Sequence, residues 1–135
     1  CYIVSFGNYS KRNEPVEKPA ENIFVYQYAD YDTFLPKVDY IIHHGGTGIL
    51  YNGIKFNKPS VIIPHDYDQF DYAVRAEIAE IGFSASLKSR KSIIDAVGKM
   101  LNRKEWKKLE KMSEDFKKYN PSDVLKREIN RLIGK

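Results

Sequence analysis

Side chains able to do chemistry gather in two short stretches of this sequence. The first is Ile42-His43-His44-Gly45-Gly46-Thr47-Gly48-Ile49, set between an apolar run and an amphipathic one. Glycines let the backbone approach an anion closely, the first N–H groups of a helix lack intrahelical acceptors, and the helix dipole adds roughly half a positive charge there. His44, just before the turn, offers one more donor to a phosphate oxygen. The competing reading is a tight strand-to-helix turn whose glycines serve packing alone. No Gly-Lys-Ser/Thr follows, so this is not a Walker loop, and the spacing does not fit G-x-G-x-x-G.

The second stretch, Pro64-His65-Asp66-Tyr67-Asp68-Gln69, closes the next apolar run. Open α/β sheets bind ligands at that carboxyl edge. Asp68 and Gln69 offer the acceptor oxygens and the amide that vicinal hydroxyls require. Asp68 could equally cap a helix that starts near Gln69. A metal reading of His43, His44, His65, Asp66 and Asp68 is weaker. Adjacent histidines on a strand point to opposite faces and do not easily share one ion, so no metal site is expected.

The elements that must position these stretches follow from hydrophobic patterning. Tyr2 to Phe6, closed by Gly7-Asn8, reads as a buried strand, and the polar segment from Tyr9 to Glu21 as a loop. Further strands are expected over Asn22 to Tyr26, Asp39 to His43, Ser60 to Pro64 and Phe83 to Ala85. A short helix carries Phe34-Leu35, and a longer one follows the glycines to about Phe56. Phe70, Ala73, Val74, Ile78 and Ile81 mark another at 3.6 spacing, closed by Gly82. Three amphipathic helices finish the chain, lined by Ile93, Ile94, Val97 and Leu101, by Trp106, Leu109, Met112 and Phe116, and by Val124, Leu125, Ile129, Leu132 and Ile133, the last with Ser122 as N-cap. Continuously apolar strands separated by helix-length intervals predict a Rossmann-like α/β fold, a parallel sheet with helices on both faces.

Length and composition agree. The 135 residues, 42% hydrophobic and 30% charged, suit one compact domain and exclude a disordered tail or fibrous protein. The single cysteine, Cys1, provides neither a disulfide framework nor a cysteine-rich zinc module, which favours a cytoplasmic setting. No apolar run approaches the roughly 20 residues of a spanning helix, and no signal peptide is evident. An opening on a strand-like run without Met suggests a piece of something longer. Residues 1–87 hold 7 Lys/Arg against 11 Asp/Glu, whereas residues 88–135 hold 15 against 7. Such a basic stripe on amphipathic helices reads first as a solvated face. It also leaves open peripheral contact with an anionic membrane; no nucleic-acid partner is expected, and a basic anion- or nucleic-acid-binding module stands only as an alternative.

The run from Asp39 through Ala73 resembles the donor-binding signature of nucleotide-sugar glycosyltransferases of the GT-B fold, the family one and macrolide-type enzymes. His44 to Gly48 stand for His-Gly-Gly-x-Gly, Asn57-Lys58-Pro59 for Gly-x-Pro, Pro64 for the proline ending the next strand, and Asp68-Gln69 for the Asp/Glu-Gln that follows. Upstream, Pro19 to Tyr31 is similar to the family's strand leading into Trp-x-Pro-Gln. The resemblance implies that His44 and the amides of Gly46, Thr47 and Gly48 hold a diphosphate, and that Asp68 and Gln69 hold sugar hydroxyls. It further implies that Tyr28 stacks on uracil, the Ala29 backbone reads the base edge, and Asn52 faces the ribose. The sequence departs from the pattern at Ile49, where Ser/Thr is usual, at Asp30-Tyr31 in place of Pro-Gln, at Tyr72 in place of Asn, and at Asn52 in place of Glu. A neutral amide at Asn52 forgoes a charge-assisted bond of about 1.5 to 3 kcal/mol.

What the resemblance implies is an inverting UDP-glycosyltransferase that moves a hexose from a UDP-sugar to an acceptor. The UDP-sugar is a co-substrate, and neither cofactor nor metal is expected. The acceptor and the general base belong to an N-terminal domain in the same or a separate chain, so no catalytic residue is expected within residues 1–135, and this chain alone is expected to be inactive. Tyr2 to Phe6 aligns with the second strand of the family's sheet, so the chain is expected to be a partial C-terminal domain without its central first strand. That would leave open edges on Tyr2 to Phe6 and Asp39 to His43. The departures at Ile49 and Asn52 keep an inactive glycosyltransferase-like domain as an alternative.

Overall fold

A computed structural model describes residues 2–7, 9–11 and 13–134, with Tyr9 described by its backbone alone. Cys1, and the Asn8 expected to close the first strand with Gly7, lie outside the described residues. The chain forms two compact units, Cys1–Val38 and Asp39–Lys135.

In the first unit, β1 (Tyr2–Ser5) pairs in parallel with β2 (Ile23–Tyr26), in a register that sets Tyr2 opposite Ile23 and Ser5 opposite Tyr26. The loop expected between them contains a 3-10 turn, Tyr9–Lys11. A one-turn helix, α1 (Tyr31–Phe34), follows. The sequence predicts a buried β1, yet all four of its residues are exposed. Its continuous apolar character suits a strand covered on both faces, whereas here both faces are exposed and, among the described residues, it pairs with β2 alone.

The second unit is built on three parallel strands, β3 (Ile41–His43), β4 (Ser60–Ile62) and β5 (Gly82–Ser84), in the order β3-β4-β5. The crossover helices are α2 (Thr47–Lys55) and α3 (Asp68–Ile78), and α4 (Arg90–Asn102), α5 (Lys107–Lys118) and α6 (Pro121–Leu132) complete the chain. The central strand β4 is buried along its whole length. Val61 and Ile62 join Ala73, Ala76, Ile81, Ala85, Ala96, Met100, Trp106 and Leu109 in one core. Helix α3 lies on β5, α4 on β4 and β5, and α2 against α5. The α5–α2 contact includes a bond from Ser113 Oγ to the Lys55 carbonyl, at 3.2 Å.

Three expectations about helices need correction. Helix α3 buries Ala73 and Ala76, while Phe70, Val74 and Ile78 face outward. The small side chains let the helix lie close to the sheet, and the larger ones at i, i+4 and i+8 form a separate outer stripe. The helix ends at Ile78 and not at Gly82, because Glu80 takes the left-handed turn at φ 56. Gly82 belongs to β5, where a Cβ would sit 2.7 Å from the Ser60 carbonyl oxygen. For α6 the cap is Asn120, whose side chain accepts from Ser122 N–H, and Pro121 takes the first helical position that suits a residue without an N–H.

Helix α6 buries no residue, whereas α5 seals the core with Leu109, 1% exposed. Leu109→Ala should therefore cost about 2 to 5 kcal/mol in urea unfolding. Deleting residues 121–135 should cost clearly less, and an equal loss would show that α6 covers apolar surface.

Candidate functional site

The turn leaving β3 is shaped by two close approaches. Gly45 has φ +96, which glycine adopts freely, and a Cβ there would lie 2.9 Å from Ile62 Cγ2 and 3.4 Å from Gln69 Cβ. The turn thus passes beneath the start of α3. At Gly46, the N-cap of α2, a Cβ would lie 2.5 Å from His44 Nε2, so the exposed imidazole is folded over the cap. The first intrahelical donor is Leu50 N–H, bonded to the Gly46 carbonyl, and the amides of Thr47, Gly48 and Ile49 precede it. A Cβ on Gly48 would meet nothing within 4 Å. Packing accounts for Gly45 and Gly46, but at Gly48 the missing side chain leaves open space beside amides that have no intrahelical acceptor, as an anion site requires.

His43, which the sequence reading gave no role, holds this turn. Its Nδ1 accepts the Gly45 N–H at 3.0 Å, so the proton sits on Nε2, which is buried without a partner among the described residues. Burial first, and neighbouring His44 second, lower its pKa from the usual 6.5 to about 4. His43 is therefore neutral and a fixed acceptor, while His44 faces outward. No signal in the sequence distinguishes the two, because the difference arises from which imidazole the turn encloses.

The loop after β4 is pinned by Gln69. Its Oε1 accepts from His65 N–H at 2.9 Å and from Asp66 N–H at 3.2 Å, and Asp66 Oδ1 accepts from Tyr67 N–H at 3.0 Å. Gln69 consequently keeps its NH₂ donors, and its oxygen is already engaged. Asp68 is exposed at the first position of α3. The competing reading of Asp68 as the cap of α3 is not met. Tyr67 occupies the N-cap at φ 28, ψ −109 without a side-chain cap bond, and the residue is 87% exposed. Since Gly45 touches both Ile62 and Gln69, the second unit by itself brings the glycine turn and the Asp68-Gln69 cluster together.

The remaining positions are more varied. Asn52, half-buried on α2, donates from Nδ2 to the Gly48 carbonyl at 2.8 Å, which leaves Oδ1 as its acceptor. Ile49 is buried in the interior, so the position where a hydroxyl is usual serves packing here. Tyr28, half-buried, and Ala29, buried, belong to the first unit. There Asp30 caps α1 by accepting from Thr33 N–H at 3.0 Å and Thr33 Oγ1 at 2.6 Å. Among the described residues, no three His, Cys, Asp or Glu side chains gather as a metal site would need, and no helix is long and apolar enough to cross a membrane. Several basic side chains of the C-terminal helices are paired. Glu80 accepts from Arg103 at 3.1 Å and Lys108 at 2.6 Å, bonds that lower its pKa, and Arg131 meets Glu128 at 3.1 Å.

Comparison with known proteins matches residues 2–127 to the glycosyltransferase family 28 C-terminal domain. A sterol 3-beta-glucosyltransferase of Vanderwaltozyma polyspora is 33% identical over 102 residues, 76% of this chain and 8% of that protein. UDP-glucosyltransferase A1 of Starmerella bombicola is 30% identical over 117 residues, 84% of this chain and 25% of that protein. Among solved structures, the glycotransferase of kitacinnamycin superposes with a TM-score of 0.78 at 17% identity, covering 96% of this chain and 34% of that one. The spinosyn rhamnosyltransferase SpnG gives 0.77 at 18% identity, covering 95% and 35%. The chain thus spans about a third of the solved structures and a quarter or less of these two curated relatives.

The neutral, buried state of His43 has a measurable consequence. As pH falls the unfolded chain takes up this proton first, so stability present above about pH 6.5 is lost toward pH 4, by up to about 3 kcal/mol. His43→Gln keeps an acceptor for Gly45 but does not titrate, and should flatten that dependence in urea unfolding. An unchanged slope would assign it to another group.

Proposed function

Since this chain belongs to the glycosyltransferase family 28 C-terminal domain, we propose that it forms the donor-binding part of an inverting glycosyltransferase that takes a hexose from a UDP-sugar. The observation that carries this reading is the β3–α2 turn. There, unpaired amides at Thr47 and Gly48, open space at Gly48 and the His44 imidazole meet at the positive end of a helix. Placed on that turn, a diphosphate leaving group gains charge as its bond to the anomeric carbon breaks, and fixed donors that already face it lower the barrier without reorganising. These residues, in place of a metal ion, neutralise the leaving group in the proposed mechanism. Asp68 and the Gln69 NH₂ then hold sugar hydroxyls, Asn52 Oδ1 takes the ribose, and Tyr28 and Ala29 take the base. The names of the relatives, sterol and UDP glucosyltransferases, support glucose as the hexose and a sterol-like lipid as an acceptor to test first.

The acceptor and general base are proposed to lie on an N-terminal domain outside these residues, as is the central strand of the sheet. Exposed β1, and the edges that β1 and β3 leave unpaired among the described residues, support that reading. A cytoplasmic setting fits the single cysteine.

Titration calorimetry with UDP and uridine tests the central assignment. His44→Ala should weaken UDP by about 1 to 3 kcal/mol and leave uridine nearly unchanged, because the bond it removes is a charge-assisted one to phosphate. Equal weakening of both ligands would remove His44 from the diphosphate.

A further inference from the structure

We propose that Tyr67 is a specificity-determining residue of the donor site, an aromatic wall against which the C–H face of the transferred hexose packs. The inference rests on the donor reading above and extends it to the sugar ring.

The first observation is backbone conformation. At φ 28 and ψ −109 Tyr67 has a positive φ, which glycine tolerates far better than a bulky residue does. Glycine would serve the chain's path better. Strain of this kind persists where the surrounding structure imposes it, and it concentrates at ligand-binding sites.

The second observation is exposure. The residue is 87% exposed, so burial does not offset the strain. A large aromatic face held out to solvent on a strained backbone is a surface available to a ligand.

The third is position on a fixed frame. Tyr67 immediately precedes Asp68 and Gln69. Asp66 Oδ1 holds its N–H at 3.0 Å, and Gln69 Oε1 fastens the same loop through His65 and Asp66. Gln69 in turn lies against Gly45, where an added Cβ would come within 3.4 Å of it. The Tyr67 backbone is therefore held in a fastened loop whose Gln69 lies against the glycine turn.

The chemistry of a pyranose completes the argument. Its hydroxyl edge needs hydrogen-bonding groups, which Asp68 and the Gln69 NH₂ provide. A hexose with equatorial hydroxyls also presents an apolar C–H face, and the electron-rich face of an aromatic ring suits it, while the phenol tip remains free to bond a hydroxyl or water. An axial hydroxyl on that face would be pressed against the ring and left unsolvated, so the same residue would select among hexoses.

The test compares wild type with Tyr67→Gly, Tyr67→Ala and Tyr67→Phe, measuring affinity for UDP and for UDP-glucose together with the melting temperature. In all four proteins UDP should bind within about twofold of wild type, since the ring touches only the sugar. The affinity of UDP-glucose relative to UDP should fall about five- to tenfold in Tyr67→Gly and Tyr67→Ala and be retained in Tyr67→Phe. Tyr67→Gly alone should melt higher, because only glycine relieves the backbone. A ratio unchanged in the glycine and alanine variants, or lost in glycine alone, would overturn the role of the ring while leaving the donor reading intact. Absence of UDP binding by wild type would overturn the donor reading and this inference with it.

Discussion

Gly45 is the point on which the candidate site depends. The chain leaves β3, which pairs with β4, must clear Ile62 and the first turn of α3, and must still present the start of α2 to solvent. With a Cβ limit of 2.9 Å at Ile62 and φ +96, only glycine makes that path without displacing its neighbours. Everything downstream inherits the geometry. His43 accepts the Gly45 amide, His44 folds over Gly46, and α2 begins with its unpaired amides beside the loop that Gln69 holds. The phosphate turn and the sugar loop are therefore one construction, brought together where Gly45 lies against Gln69.

Charge in this construction is distributed by burial. His43 is enclosed and neutral, so its lone pair can organise the turn, whereas His44 at the surface is available to an anion. Two adjacent residues of one type thereby divide structural and ligand-facing work. The basic C-terminal helices take no part in this division. Their side chains are mostly solvated, and several are paired with Glu80, Glu105, Asp115 and Glu128.

Much of this was legible in the sequence. Short apolar runs and 3.6-residue periodicity located each strand and helix of the second unit, and the order of motifs pointed to the family that residues 2–127 match. The misses have physical causes. Apolar periodicity does not say which of two faces a helix buries, so the exposed Phe70, Val74 and Ile78 read as one face with the buried Ala73, and the buried Ala76 gives no signal. A continuous apolar run reads as buried even where, as in β1, its covering is not among the described residues. Glu80 and Tyr67 adopt conformations that composition assigns to glycine, and no propensity argument finds those. The second role of Asn52, bonded back to Gly48, and the engagement of the Gln69 oxygen depend on side-chain geometry that spacing leaves open.

The central claim is that a diphosphate sits on the β3–α2 turn, held by backbone amides. Two-dimensional amide NMR during titration with UDP tests it most directly. The claim predicts that Gly46, Thr47 and Gly48 show the largest shift changes, with the amides of α4 and α5 nearly still. Changes concentrated on the lysine-bearing helices, with the glycine turn unmoved, would contradict it.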